Sequence, residues 1–126
     1  MKEFLLDTST LIDFLQGRAD NNTKEIMASS ELTVSAITFA ELYKFTLNNG
    51  KANLWPVYKT RLSGYKIIDV TKEIGEKAAE FSHRFGMSLA DSLIYATARL
   101  NDLELLTSDA DDFKGKKGIT LTKKTS

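Results

Sequence analysis

Apolar residues along this chain fall into two spacings. Short runs bounded by polar residues occur at Phe4 to Leu6, Leu32 to Ser35, Tyr65 to Val70, Glu104 to Thr107 and, in an edge position, Ile119 to Thr122. Their length and their Leu, Ile and Val content read as strands buried in a sheet. Other apolar residues recur at intervals of three and four. Ile74, Ala78, Phe81 and Phe85 form one such set, and Ile37, Ala40, Tyr43 and Leu47 another. Each set predicts the buried face of an amphipathic helix. The stretch SLADSLIYATARL is apolar on nearly every side, which predicts a central helix packed from several directions. Strands alternating with helices predict an α/β domain of three layers. Its central sheet is expected to be mostly parallel, with about four or five strands and helices on both faces.

Nothing in the chain marks a second domain. There is no repeat, no low-complexity segment, and Pro56 is the only proline. One domain over residues 1–126 fits the common domain size. A chain of this length buries roughly two-thirds of its unfolded surface and folds without staples. Cysteine is absent, which excludes thiolate metal sites, thiol nucleophiles and disulfide scaffolds. It also fits a reducing, cytoplasmic setting. The apolar run in MKEFLLDTST is broken by Asp7 and is too short for a signal peptide. No apolar stretch approaches the ~18 residues of a membrane span, so a soluble cytoplasmic protein without a membrane partner is expected. Seventeen acids balance seventeen bases. Any hold on nucleic acid must therefore come from local charge. The lone histidine, His83, reads as a surface or half-buried residue late in a helix, so histidine-driven catalysis is not expected.

Sites in open α/β sheets gather outside the carboxyl ends of the strands. The stretch LLTSDADDF brings Asp109, Asp111 and Asp112 to such a place, just past the fourth apolar run. Asp7 directly follows the first run. Glu41 is expected in the first turn of the helix starting near Ile37, and Asp91 in the first turn of the nearly all-apolar helix. Asp7, Glu41, Asp91 and Asp109 are thus expected on one rim of the sheet. Each also has a purely structural alternative. Thr38-x-x-Glu41 and Ser88-x-x-Asp91 match a capping box, and an acid near a helix N-terminus is favoured by the helix dipole. Asp109 can cap the DADDF turn, and Asp7 can open a turn before the first helix. Capping does not solve the electrostatics of the group. Unit charges ~4 Å apart repel by ~4 kcal/mol at an effective dielectric of 20, and Asp91 is set among Leu89, Ala90, Leu93, Ile94 and Ala96. Carboxylates so placed must take up protons or share a cation. A hard divalent ion with oxygen ligands, Mg²⁺ or Mn²⁺, is the natural partner. Such an ion activates water and stabilises the leaving oxygen in phosphoryl transfer.

An apolar strand into DTS at Asp7, TFAELY around Glu41, SLADSLIYATA around Asp91 and LLTSDADDF around Asp109 together resemble the PIN-domain family. Their order, their spacing and the short chain resemble the VapC-type toxins of toxin–antitoxin pairs, over essentially the whole length. The resemblance implies a PIN-like fold and a Mg²⁺- or Mn²⁺-dependent endoribonuclease, usually a homodimer, held inactive by a cognate antitoxin protein. By the family pattern Asp7, Glu41 and Asp91 match the first three acids. At the fourth place the pattern is Thr-x-Asp/Asn, two further residues, then Asp-Phe. Thr107 matches its threonine, and Asp109 and Asp112 match its two polar positions. Either can be the fourth functional acid, and Asp111 has no counterpart. Thr8 and Ser9 match the small polar pair after the first acid, where Asn is commoner than Ser at the second place; a hydroxyl there can still order a water.

Other features carry less. Asp13 falls on the first helix and reads as structural or solvated, with the edge of the site as the functional alternative. Lys114 to Lys117, KGKK, reads as a solvated loop, with RNA phosphates as the functional alternative. Trp55, Tyr58 and Leu62, with Phe45, read as core or dimer interface, with a base-stacking platform as the functional alternative. Arg84 and Arg99 read as surface residues, with RNA or antitoxin as alternative contacts. Two other classes compete with RNA hydrolysis. A receiver-like phosphoryl-signalling domain has this size and architecture, but it wants paired acids after the first strand and an Asp after the third, where Asp69 stands. A non-catalytic binding protein, its acids serving only as caps, is the other.

Overall fold

The structure, a computed structural model, describes residues 2–125. Five strands form one sheet: β1 (Glu3–Leu6), β2 (Glu31–Ser35), β3 (Lys66–Ile68), β4 (Glu104–Thr107) and β5 (Ile119–Leu121). Their spatial order is β3-β2-β1-β4-β5, and every pairing is parallel. The chain therefore steps outward from β1 to β2 and β3, then returns to the other side of β1 to lay down β4 and β5. The reversal falls between β1 and β4, where Leu6 pairs with Leu106. A crevice opens at the carboxyl ends of two such strands because their connections leave in opposite directions.

Period-two alternation divides the core between the two faces of the sheet. Phe4 and Leu6 point to one side, where they meet Leu11, Val34, Leu42, Leu62 and Leu106. The helices of that layer are α1 (Thr8–Leu15), α2 (Asn21–Ser29), α3 (Ile37–Asn48) and α4 (Trp55–Ser63). Leu5 points to the other side, toward Ile94, Tyr95, Leu105 and Phe113. There α5 (Lys72–Phe85) and α6 (Leu89–Leu100) pack as a pair, and a single turn, α7 (Ala110–Phe113), follows β4. In α6 the run Ile94 to Ala98 is buried, as its all-round apolar sequence predicts, while Leu89 and Leu100 at its ends are exposed. Thr71 caps α5 by accepting the Ile74 N–H at 3.2 Å. Gly86 ends that helix at φ 69°, a left-handed conformation that glycine adopts without a Cβ penalty.

The expected three-layer α/β fold is borne out, with five strands and every pairing parallel. Finer expectations are corrected. The third strand is confined to Lys66–Ile68 within the predicted Tyr65 to Val70, and the edge strand stops at Leu121. In α3 the buried stripe is Thr38, Leu42 and Thr46, not Ile37, Ala40, Tyr43 and Leu47; Tyr43 and Leu47 are 41% and 53% exposed. Leu62 is fully buried, and Trp55, Tyr58 and Phe45 are partly buried against the same core. Helix α2 was not expected; it buries only Thr23 and Met27 fully, too little apolar content to show a period.

Candidate active site

Asp7 directly follows β1 and stands at the N-cap of α1, yet its side chain caps nothing. Its N–H is tied across the sheet to the Leu106 carbonyl at 2.9 Å. Its carboxylate Oδ2 accepts the hydroxyls of Ser9 and Thr107, each at 2.7 Å. Thr107 Oγ1 in turn accepts the Asp109 N–H at 3.0 Å, and Ser9 Oγ accepts the Ser108 N–H at 3.4 Å. Two short hydroxyl side chains thus lock the turn after β4 onto the first acid. This is what Ser9 and Thr107 do, and it requires a residue small enough to sit between adjacent strand ends.

Glu41 lies in the second turn of α3, not the first. Thr38 is buried inside the helix and makes no capping box with it. Instead Thr8 Oγ1 donates to Glu41 Oε1 at 2.6 Å and lies 3.2 Å from Thr38 Oγ1. Asp91 is in the first turn of α6, as expected, where its N–H is capped by Ser88 Oγ at 3.2 Å. Asp109 caps α7 by accepting the Asp112 N–H at 3.2 Å. Asp7, Glu41, Asp91 and Asp109, from four distant segments, line one cleft of about 470 Å³, together with Thr8, Ser9 and Lys44.

The closest grouping is Asp91, Asp109 and Asp112, which can each present a carboxylate oxygen within 4.8 Å of the others. Asp112 is therefore gathered with the acids, while Asp111 is exposed. Crowding and burial are visible in the protonation of the group. Burial pushes Asp7 up, against the hydrogen bonds from Thr107 and Ser9 that favour its charged form. Burial likewise raises Asp91 and Asp109. Asp112 is raised chiefly by its interaction with the Asp91 carboxyl. The donor set is all hard oxygen, and three of its members converge. It suits Mg²⁺ or Mn²⁺ and offers nothing to a soft metal.

Asp13 is buried at the far end of α1, where Arg18 stands 3.9 Å away, and it does not line the cleft. His83 is exposed in the last turn of α5. Lys44 and Asn48 line the cleft although sequence reasoning passed over them. The available signal was their spacing of three and seven from Glu41, which places all three on one face of α3.

Comparison with known proteins follows the same lines. The family model described as PIN domain matches residues 4–118. Among curated proteins, no relative matches the chain. Among solved structures, a toxin–antitoxin complex from Klebsiella pneumoniae aligns at TM-score 0.78 and 28% identity, covering 93% of this chain and 95% of that one. VapBC2 from Rickettsia felis, bound to a DNA fragment from its promoter, aligns at TM-score 0.76 and 20% identity, covering 94% and 96%. VapC20 from Mycobacterium tuberculosis, a sarcin–ricin loop cleaving toxin, aligns at 0.69 and 19%, covering 86% and 91%. The last two likenesses are of fold alone.

Proposed function

The chain belongs to the PIN-domain family, and from that premise we propose that it is a metal-dependent endoribonuclease, the VapC-type toxin of a toxin–antitoxin pair. The observation that carries this reading is the convergence of Asp7, Glu41, Asp91 and Asp109 on one cleft at the reversal of the sheet. Capping accounts for part of Asp91 and Asp109, but the side chains of Asp7 and Glu41 cap no helix. A receiver-like reading fits less well, since Asp69 after β3 is exposed and lies outside the cleft.

Asp91, Asp109 and Asp112 would hold Mg²⁺ or Mn²⁺ with Asp7, and Glu41 completes the acidic wall. When bound, such an ion supplies water activation and charge neutralisation for in-line attack on an RNA phosphodiester. The chain's own part is orientation. Ser9 and Thr107 fix the Asp7 carboxylate, and Thr8 fixes Glu41. Lys44 at the cleft rim is placed to receive a phosphate.

The antitoxin partner is supported by the Klebsiella pneumoniae and Rickettsia felis structures, which are of toxin–antitoxin assemblies. RNA as substrate is supported by the cleavage ascribed to VapC20. A homodimer is part of the same reading, with its surface on the exposed Tyr43, Leu47 and Val57 of α3 and α4. Among the described residues, no helix is long and apolar enough to cross a membrane. A cytoplasmic location is part of the proposal.

The direct experiment incubates the purified protein with total RNA and millimolar Mg²⁺ or Mn²⁺, in parallel with excess chelator. Discrete cleavage products are expected with metal and none with chelator. Intact RNA in both metals would reject the reading.

A further inference from the structure

A second groove, on the α5–α6 side of the sheet, gathers charge of the opposite sign. It has a volume of about 520 Å³ and lies between α5, α6 and the turn Gly115 to Lys117. Five basic residues line it: Lys77, Arg84, Arg99, Lys116 and Lys117. No acid lines it, in a protein whose acids and bases are equal in number. Lys77 is paired with Glu80, but among the described residues Arg84, Arg99, Lys116 and Lys117 have no carboxylate partner. These residues come from three separate segments, so helical periodicity does not explain their meeting.

Aromatic rings are interleaved with the cations. Phe85 is 40% exposed, with Arg84 and Lys116 at 5.1 and 5.0 Å from its ring centre. Phe81 stacks against it at 5.8 Å and packs on Tyr95 at 4.9 Å. The Tyr95 hydroxyl donates to the Lys117 carbonyl at 2.8 Å, which holds the basic turn against the helix. The groove is also joined to the acid cleft. The carboxyl of Asp112 belongs to the acid cluster, while its backbone carbonyl accepts Lys116 Nζ at 2.7 Å. One turn of helix, α7, separates the two sites.

Cations that track a backbone, with π faces between them, are what single-stranded nucleic acid requires. An acidic peptide would use the cations but gains nothing from the exposed ring. A duplex would keep its bases away from that ring. We propose that this groove is a substrate subsite that binds single-stranded RNA beside the cleaved bond, with phosphates on Arg84, Arg99, Lys116 and Lys117 and a base stacked on Phe85. It rests on the reading of the acid cleft as an RNA-cleaving site and adds the strand's path and its unpaired state.

Binding is measured by fluorescence anisotropy of a short labelled single-stranded RNA, in chelator and over a salt series, on the full chain. The double variant Arg84→Gln/Lys117→Gln removes two exposed charges and leaves the core intact. Its Kd is expected to rise about tenfold or more, and its log–log salt slope to fall by ~1.4, at ~0.7 for each phosphate no longer neutralised. Phe85→Ala is expected to weaken binding about tenfold, with a smaller change of slope than the double variant, since no charge is removed. Lys24→Gln/Lys59→Gln, on the opposite layer, is expected to change neither. Parental Kd and slope in the first double variant would overturn the subsite. So would a parent that binds no RNA, or groove variants that keep RNA but lose polyglutamate. A parent that binds RNA through this groove yet cuts none with metal would instead defeat the nuclease reading and leave the subsite standing.

Discussion

Ser88 Oγ accepts the Asp91 N–H at 3.2 Å, while the Asp91 carboxyl stands with Asp112 and Asp109. Helix capping and cation binding thus fall on neighbouring groups and can be separated by substitution. Asp91→Asn keeps the backbone N–H and its cap but removes a charge from the cluster. Cleavage is expected to fall by orders of magnitude, because a group that stabilises developing charge is gone. Stability without metal is expected to hold or improve, since burial already disfavours the Asp91 charge. Ser88→Ala does the reverse: it costs about 1 kcal/mol, as the removal of a cap does, and leaves cleavage intact. Urea melts and RNA cleavage on the two variants check the pair. A folded Asp91→Asn protein that cuts RNA like its parent would falsify the role given to Asp91.

Helix α3 tests which stripe of an element carries the fold. Leu42 is fully buried beneath it, whereas Leu47 is 53% exposed. Leu42→Ala is expected to cost about 2–5 kcal/mol, the range for a large-to-small core change. Leu47→Ala is expected within about 0.5 kcal/mol of the parent and, if the exposed stripe joins two copies, to lower the mass seen by light scattering toward that of a monomer. Equal urea midpoints for the two variants would contradict this placement of the helix. The phase of α3 was not legible in the sequence because its buried side includes threonines. Thr38 and Thr46 read as polar, but Thr38 meets Thr8 and Thr46 Oγ1 returns to the Tyr43 carbonyl at 2.7 Å, so both hydroxyls are satisfied inside the protein. The acids were legible for the opposite reason. A charge placed directly after an apolar strand run lies at the sheet edge whatever the helix phases are, and Asp7 and Asp109 needed no more than that. The family pattern favoured Asp112 over Asp111, but the grouping of Asp112 with Asp91 depends on how α7 meets α6, a meeting of distant segments that no apolar spacing encodes. The basic groove was hidden in the same way, since Arg84, Arg99, Lys116 and Lys117 are brought together only by the packing of α5, α6 and the turn before β5.

At the scale of the whole molecule, the acid cleft makes stability depend on pH and on metal together. Asp7, Asp91 and Asp109 are raised above the ordinary Asp value chiefly by burial, and Asp112 chiefly by Asp91. Between the ordinary value, about pH 4, and their raised values, the native state binds more protons than the unfolded chain. Stability from these groups is therefore complete below about pH 4 and is lost as pH rises through the folded pKa values. Glu104 runs the other way. Thr120 first, and then Lys2, hold it below its ordinary value, so its contribution is present at higher pH and is lost on acidification. The two windows differ: Glu104 acts below about pH 4.5, and the cleft governs from there toward neutrality. In chelator the protein is expected to lose stability as pH rises above the ordinary Asp value. Metal removes that loss, since the native state then binds cations where it bound protons. At a hundredfold excess over Kd the gain is about 2.7 kcal/mol, a melting shift on the order of 10 °C for a domain of this size. Near pH 4 the gain should vanish, because the ligands must be deprotonated to bind. Asp91→Asn should flatten both the pH dependence in chelator and the response to metal. Thermal melts at three pH values, with and without Mg²⁺ or Mn²⁺, measure all of this. Identical melts with and without metal at neutral pH would remove the cation from the cleft and leave the four acids as a burden on the fold with no compensating partner.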